Sequence, residues 1–334
     1  MTPRENFFAI YNREQPDAYI DAMSALEILP DPILMGDMVP QDGKEHPDSW
    51  GVTYCFKPGA PGQHPVINDS NVVIKDIEHW KDYVHFPPTK GLDWTIAKQV
   101  EAGVDRREKL VAIMFGGGLF ERSHFLMGME NALVNYLEYP DEMKNLLRHV
   151  KDWKISYIEE MAKEVRPDII FFHDDWGSKQ NVFLPPDVWR DIIKPLQCEI
   201  AEAIHANGMI YMHHADCICQ PIVNDMVDIG IDIWQGVIAQ NDIVAIQEVT
   251  GGRLAMCGGI DGPKVDLVGI SEEEIRAEVH RAFDTYLPRG RFYPGIPNGV
   301  CFNEWNNSII QDEIIRYGIE YAQKERTGQS SRRR

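Results

Sequence analysis

The chain has 334 residues, 44% hydrophobic and 25% charged, a composition that excludes disorder and fibre and suits two average domains or one large α/β barrel. Its 33 Lys and Arg against 52 Asp and Glu give a formal charge of -19, which opposes binding to a nucleic-acid backbone or an anionic membrane surface. Apolar runs such as Leu110 to Phe115 fall far short of the ~20 residues of a membrane-spanning helix, so a soluble protein is expected.

The opening Met1-Thr2-Pro3-Arg4-Glu5-Asn6 holds no basic region leading into an apolar stretch, and a cytoplasmic protein is expected. In that reducing setting Cys55, Cys198, Cys217, Cys219, Cys257 and Cys301 serve as core packing, metal ligands or reactive thiols, not as a disulfide framework.

The first ~100 residues are rich in Pro, Gly, Asp and His and read as an elaborated entry segment. Within it Pro32-Ile33-Leu34-Met35-Gly36 is a candidate strand. From Lys109 onward short apolar segments alternate with longer amphipathic ones. Leu110 to Phe115 is followed by a helix from about Asp141 through Met161, and Asp168 to Phe172 by a helix from Pro185-Pro186 through Ile204, stopped at Asn207-Gly208. Met209 to Met212, Ile231 to Trp234 and Leu254 to Met256 come next. Ser271 and Glu274 then form a capping box ahead of Ile275, Val279, Ala282, Phe283 and Tyr286. Arg291 to Tyr293 and a helix from about Asn303 to Lys324 close the series.

This β-then-α rhythm predicts a parallel sheet with crossover helices. Counting units against the usual barrel length favours a closed (β/α)8 TIM barrel over an open doubly wound sheet. The expectation is a single barrel over residues 1–326 and a frayed tail over 327–334, with no internal repeat.

In such a fold functional groups collect where strands end and loops begin. Those positions hold His173-Asp174-Asp175-Trp176-Gly177, His213-His214-Ala215-Asp216-Cys217, Trp234-Gln235-Gly236, Cys257-Gly258-Gly259-Ile260-Asp261 and, through Pro297-Asn298-Gly299, Cys301-Phe302-Asn303. Of two adjacent residues on a strand only one points inward, so one of Asp174 and Asp175 is expected in the site and the other in a capping role. His214 with Asp216, Cys217, Cys257 and Cys301 offers ligands suited to Zn²⁺. Gly116-Gly117-Gly118 matches neither the dinucleotide fingerprint nor a P-loop and reads as close backbone approach to a ligand or as a tight turn. No Gly-x-Ser-x-Gly elbow is present, which argues against a serine hydrolase. Phe120, Phe125, Leu126, Met127 and Met129 fit a core, although Met-rich walls also accept flat organic substrates.

Gly118-Leu-Phe-Glu-Arg122, Leu126-Met-Gly-Met-Glu130, His173-Asp-Asp-Trp-Gly177 with Gln180 and Pro185-Pro186, His213-His-Ala-Asp-Cys217, Gly230-Ile-Asp-Ile-Trp234 and Gly258-Gly-Ile-Asp261 together resemble the uroporphyrinogen decarboxylase superfamily. The resemblance runs over nearly the whole chain and implies a single (β/α)8 barrel. True decarboxylases hold an eight-carboxylate porphyrinogen through an N-terminal Arg-x-Ala-Gly-Arg segment, which is absent here, and a chain at -19 has no evident cationic clamp. Asp48-Ser-Trp-Gly-Val52 and Pro61-Gly-Gln-His-Pro65 resemble the corrinoid-dependent methyltransferase branch instead.

That branch implies zinc held by His-x-Cys after one strand and a distant Cys. The expected ligands are therefore His214, Cys217 and Cys301, with Asp216 as substitute where the family's cysteine stands. The implied catalytic residues are Asp174, Asp175 and His213, and Phe120, Arg122, Met127, Trp176, Tyr211 and Gln235 complete the expected substrate site. The reaction implied moves a methyl group from a small methylated, methoxy-aromatic substrate to the Co(I) corrinoid of a separate carrier protein, since the chain lacks the Asp-x-His-x-x-Gly signature of a corrinoid carrier. Methyl transfer from a methylcorrinoid to a thiol or tetrahydrofolate is the first alternative. A decarboxylase or a noncatalytic tetrapyrrole-binding barrel is the second. The family habit is a homodimer.

Overall fold

The computed structural model describes residues 1–297 and 301–328. The tail expected over 327–334 therefore lies mostly outside the described residues, and Asn298-Gly299 lies wholly outside them. In chain order the strands are β1 (Leu26–Leu29), β2 (Glu45–Pro47), β3 (Thr53–Cys55), β4 (His64–Pro65), β5 (Leu110–Phe115), β6 (Ile169–His173), β7 (Ile210–His214), β8 (Ile233–Val237), β9 (Ala255–Gly259) and β10 (Phe292–Gly295). Seven of them pair in parallel in the order β1-β5-β6-β7-β8-β9-β10, and β2-β3-β4 form a separate antiparallel sheet within the entry segment. The fold is mixed α/β, with the parallel sheet curled into a half-barrel of the TIM-barrel type. No described helix is long and apolar enough to cross a membrane.

The expected barrel-type fold holds, and the placement of its first strand is corrected. Pro32–Gly36 is one turn of helix, because Asp31 accepts a hydrogen bond from the Leu34 amide and Pro32 is preset for a first helical position. The first strand lies just upstream, at Leu26–Leu29, paired in register with Leu110 to Ile113. Among the described residues the sheet has seven strands, not eight. Across from β10 stand the helix Pro3–Asn12 and the turn that begins at Asp21: the Tyr293 hydroxyl donates to the Phe7 carbonyl at 2.8 Å, and a Cβ on Gly295 would meet the Asp21 carboxyl at 3.0 Å.

Strand periodicity divides the core into two layers. One parity of the strands (Leu110, Ala112, Ile169, Phe171, Met212, Ile233, Ala255, Cys257 and Tyr293) packs inside the curled sheet, closed at one end by Phe7 and Ile10 of the first helix. The other parity (Val111, Ile113, Ile170, Phe172, Tyr211, Trp234 and Met256) packs against the helices. The capping box forms as expected at Ser271, and the long helix spans Pro140–Val165. The segment expected as one helix after Pro185 is two, Pro186–Ile192 and Lys194–Ala206. Pro195 has no N–H to donate and its ring crowds the preceding turn, so the ladder breaks there.

Candidate functional site

The inward parity of β6 and β7 ends in two histidines. His173 follows Phe171, His214 follows Met212, and the register sets His173 opposite His214 and His214 opposite Gln235 of β8. The two imidazoles stack with ring centroids 4.3 Å apart. Asp175, two residues past the end of β6, joins them: one ligand atom from each of His173, Asp175 and His214 lies within 4.8 Å of the other two.

Each member is held by a partner on its far side. His173 Nδ1 bonds to Glu121 Oε2 at 3.0 Å. Gln235 donates through Nε2 to the Pro297 carbonyl at 2.9 Å, so its Oε1 accepts from His214 Nδ1. Asp175 Oδ1 accepts from the Asp216 amide at 3.0 Å. These bonds commit one atom of each residue and leave the Nε2 of both rings and the second oxygen of Asp175 for a further ligand. Imidazoles oriented by a carboxylate or an amide are the usual support of a metal site.

The electrostatics follow from burial and proximity. Burial alone would lower His173, but the Glu121 carboxylate outweighs it and holds the ring up at about 9. Burial, aided by the His173 charge, lowers His214 to about 4. Burial and then Glu121 raise Asp175 to about 7. Two imidazole nitrogens and one carboxylate oxygen, with room for a further ligand, form the donor set of catalytic Zn²⁺ sites and of other borderline divalent cations. The residues thus fit a metal ion.

The expected ligand set does not assemble. His214 belongs to the cluster, but the Cys217 sulfur faces Cys219 at 3.5 Å in the buried loop after β7. Cys301 donates to Asp266 Oδ1 at 3.2 Å, and burial with that carboxylate pushes its thiol up to about 11. Asp216 pairs with Lys179 at 2.8 Å while its amide steadies Asp175.

Of the expected catalytic residues only Asp175 reaches the cluster. Asp174 is fully buried and accepts from the Phe120 and Glu121 amides and from Trp176 Nε1, thereby capping the helix Leu119–Met127. The glycine run serves this close approach: a Cβ on Gly118 would fall 2.1 Å from the Asp174 side chain. His213 has the outward parity. It accepts from the Tyr211 hydroxyl at 3.1 Å, donates to the Asp174 carbonyl at 3.1 Å, and stacks on Trp176. Burial lowers it well below an ordinary histidine, so it is neutral.

Of the expected substrate residues, Phe120 stacks between Tyr136 and Phe183, Met127 is fully buried, and Tyr211 accepts from Gln197 among the helices. Trp176 is likewise interior. Gln235 faces inward as a support for His214, and Arg122 lines a small cavity. His173 and Glu121 were not assigned roles from sequence, although the alternation Ile169, Phe171, His173 carries the signal for the first.

A cleft of about 420 Å³ opens at the ends of β8, β9 and β10. Its walls are mostly apolar, including Ile238, Ile260, Val265 and Ile296, with Asp216, Asp261 and Asp266 outnumbering Lys179. It shares Asp216 and Pro297 with the groups that hold Asp175 and Gln235.

Fold and site define a TIM-type α/β protein with a two-histidine, one-carboxylate cluster at the carboxyl edge of its parallel sheet. The uroporphyrinogen decarboxylase (URO-D) family model matches residues 45–293, and the chain belongs to that family. A methyltransferase from Methanosarcina mazei has a similar fold, with a TM-score of 0.62 and 16% identity over 95% of this chain and 86% of that one. A stretch of 103 residues, 30% of this chain, is 24% identical to the 5-hydroxymethyl-dUMP N-hydrolase of Mus musculus, and the match spans 59% of that protein's length.

Proposed function

We propose that the chain is a methyltransferase that takes a methyl group from a small, neutral or cationic methylated compound and passes it to the reduced corrinoid of a separate carrier protein. The observation that carries this reading is the His173, Asp175 and His214 cluster with its free ligand atoms, linked through Asp216 and Pro297 to an apolar and acid-lined cleft. The family and the fold shared with a methanogen methyltransferase support it. The surplus of Asp216, Asp261 and Asp266 over Lys179 disfavours a polycarboxylate tetrapyrrole in that cleft.

A zinc ion bound by His173, Asp175 and His214 would supply Lewis acidity to the oxygen or nitrogen that carries the methyl group. The chain's own residues do the rest. Glu121 and Gln235 hold the two rings with Nε2 toward the cluster, and the Asp216 amide steadies Asp175. Apolar walls at Ile238, Ile260 and Ile296 seat the body of the donor and limit water. The carbon–heteroatom bond breaks with its electron pair left on the heteroatom and the methyl passes as a cation to the corrinoid; an ether oxygen takes a proton on release, whereas an ammonium nitrogen leaves as a neutral amine.

The test mixes zinc-loaded protein with cob(I)alamin and a panel of methoxy-aromatic and methylamine donors. Growth of methylcobalamin absorbance with one donor, lost in His173→Ala and His214→Ala, is expected. Protein that holds one zinc per chain yet methylates cobalamin from no donor overturns the reading.

A further inference from the structure

The parallel sheet does not close on itself. Among the described residues β1 and β10 are unpaired with each other, and the helix Pro3–Asn12 and the turn that begins at Asp21 stand across from β10. The Asp21 carboxyl enters the curled sheet there. Cys257, of the inward parity of β9, donates its S–H to Asp21 Oδ1 at 3.7 Å. Gly295 follows the inward Tyr293 by two residues, and a Cβ on it would fall 3.0 Å from the Asp21 carboxyl carbon and 3.1 Å from each of its oxygens. The missing side chain at 295 admits the carboxylate to the interior.

Asp21 meets the rung of the sheet that carries the two histidines. The register runs from His173 to His214, Gln235, Cys257 and Tyr293 on successive strands. From His214 on β7 to Cys257 on β9 is two strand spacings, roughly 10 Å. The interior between them is open. Ile28 and Met114 have the inward parity of β1 and β5, yet Ile28 is 40% exposed and Met114 is only partly buried. His173 is likewise partly accessible.

The charge of Asp21 is unanswered. Its Oδ1 accepts from the Met23 amide at 3.0 Å and from Cys257, and its Oδ2 has no hydrogen-bond partner among the described residues. No Lys, Arg or His among the described residues pairs with it, and the one cation of the same rung, His173, is held by Glu121. Burial raises the Asp21 carboxyl to about 6, which leaves it an anion at pH 7.5. A carboxylate placed in an interior without a cation costs stability, and such groups cluster at ligand sites.

We propose that the interior of the curled sheet binds an organic cation, its ammonium paired with Asp21 and its apolar body laid along Ile28 and Met114 toward His173 and His214. The ammonium supplies the charge that Asp21 lacks, and its N–H groups suit the unpartnered Oδ2. The proposal rests on the preceding reading only in taking this cation as the methyl donor. A donor with an ammonium at one end and a methyl ether at the other spans the interval from Asp21 to the cluster, so Asp21 selects the substrate and the cluster meets its methyl-bearing oxygen.

The test titrates the full chain, without metal or corrinoid, with 4-methoxybenzylamine, a cation at pH 7.5, and with its neutral counterpart 4-methoxybenzyl alcohol, by calorimetry. The amine should bind about 10-fold more tightly than the alcohol, or better. Asp21→Asn keeps an acceptor for the Met23 amide and should reduce the amine to the affinity of the alcohol. Asp187→Asn, which removes a carboxylate 97% exposed on the surface, should leave the preference unchanged. Equal affinity for amine and alcohol, no measurable binding of the amine, or full amine binding by a folded Asp21→Asn chain overturns the proposal. The comparison of amine with alcohol needs no variant, so it decides even if Asp21→Asn does not fold. Amine binding that depends on Asp21 without methyl transfer to cob(I)alamin supports this site and counts against the preceding reading, whereas methyl transfer with no preference for the amine does the reverse.

Discussion

Lys154 is a buried base in the helix Pro140–Val165 whose replacement should stabilise the protein. It is 1% exposed, and its ammonium donates one long hydrogen bond, 3.4 Å to the Gly116 carbonyl. Burial, reinforced by the nearby Arg122 charge, lowers its pKa from 10.5 to about 7. In the unfolded chain the amine keeps its ordinary value, so between pH 7 and 10.5 the folded state binds fewer protons than the unfolded state. The contribution of Lys154 to stability therefore rises with pH across that window and is lowest at and below pH 7. At 1.36 kcal/mol per pKa unit the penalty at pH 7 is about 4 kcal/mol. The rings of Phe115 at 4.1 Å and Phe172 at 5.0 Å favour the charged form, so the penalty of about 4 kcal/mol is an upper bound. Lys154→Met keeps the stem and removes the charge, and should raise the unfolding free energy at pH 7 by about 2 to 4 kcal/mol. Urea unfolding of both chains at pH 7 and pH 9.5 measures this. The advantage of Lys154→Met over the wild type should shrink by about 1 to 3 kcal/mol between those pH values, while His173, held at about 9, costs both chains stability over the same range. An advantage of Lys154→Met that does not shrink with pH, or a less stable Lys154→Met chain, refutes the reasoning.

His173→Ala, Asp175→Ala and His214→Ala should each abolish stoichiometric zinc binding in equilibrium dialysis, while Cys217→Ala and Cys301→Ala retain it, because both sulfurs face other partners. Glu121→Gln should weaken zinc affinity about 10- to 100-fold without abolishing it, since it supports His173 and is not itself in the cluster; a competitive chelator titration reads this. Gly318→Ala lies inside the helix Glu304–Arg326, where alanine ordinarily gains about 1 kcal/mol. Its Cβ would fall 2.0 Å from the Tyr19 carbonyl oxygen, so thermal unfolding should instead show a loss of about 2 to 3 kcal/mol.

Much of the fold was legible because it rests on local pattern. Six parallel strands, β5 to β10, appear in the sequence as short apolar runs, and the Ser271 capping box marks its helix through contacts three residues apart. The first strand was misplaced because Asp31-Pro32, a helix-start signal, precedes a run whose apolar content also suits a strand. Strand parity was also legible in part. Both His213 and His214 are expected in the site from sequence, but adjacent strand residues face opposite ways, and the structure sets His214 against Gln235 on the inner face and His213 against Tyr211 and Trp176 among the helices.

What local pattern could not supply is which inward groups meet. Cys217 and Cys301 have the right chemistry for zinc, yet their sulfurs answer to Cys219 and Asp266, partners fixed by loop paths. His173 and Glu121 lie 52 residues apart in the chain and are joined only because Asp174 caps the helix that carries Glu121. Arg122 is an ordinary cation in sequence, and only the fold buries it over Trp50 and beside the Asp48 carboxylate. Secondary structure and the inside or outside of each strand depend on neighbours a few residues away, so composition and period determine them. A ligand cluster or an orphaned charge depends on distances between segments far apart in the chain, and those are set by strand register and loop geometry, which no local pattern encodes.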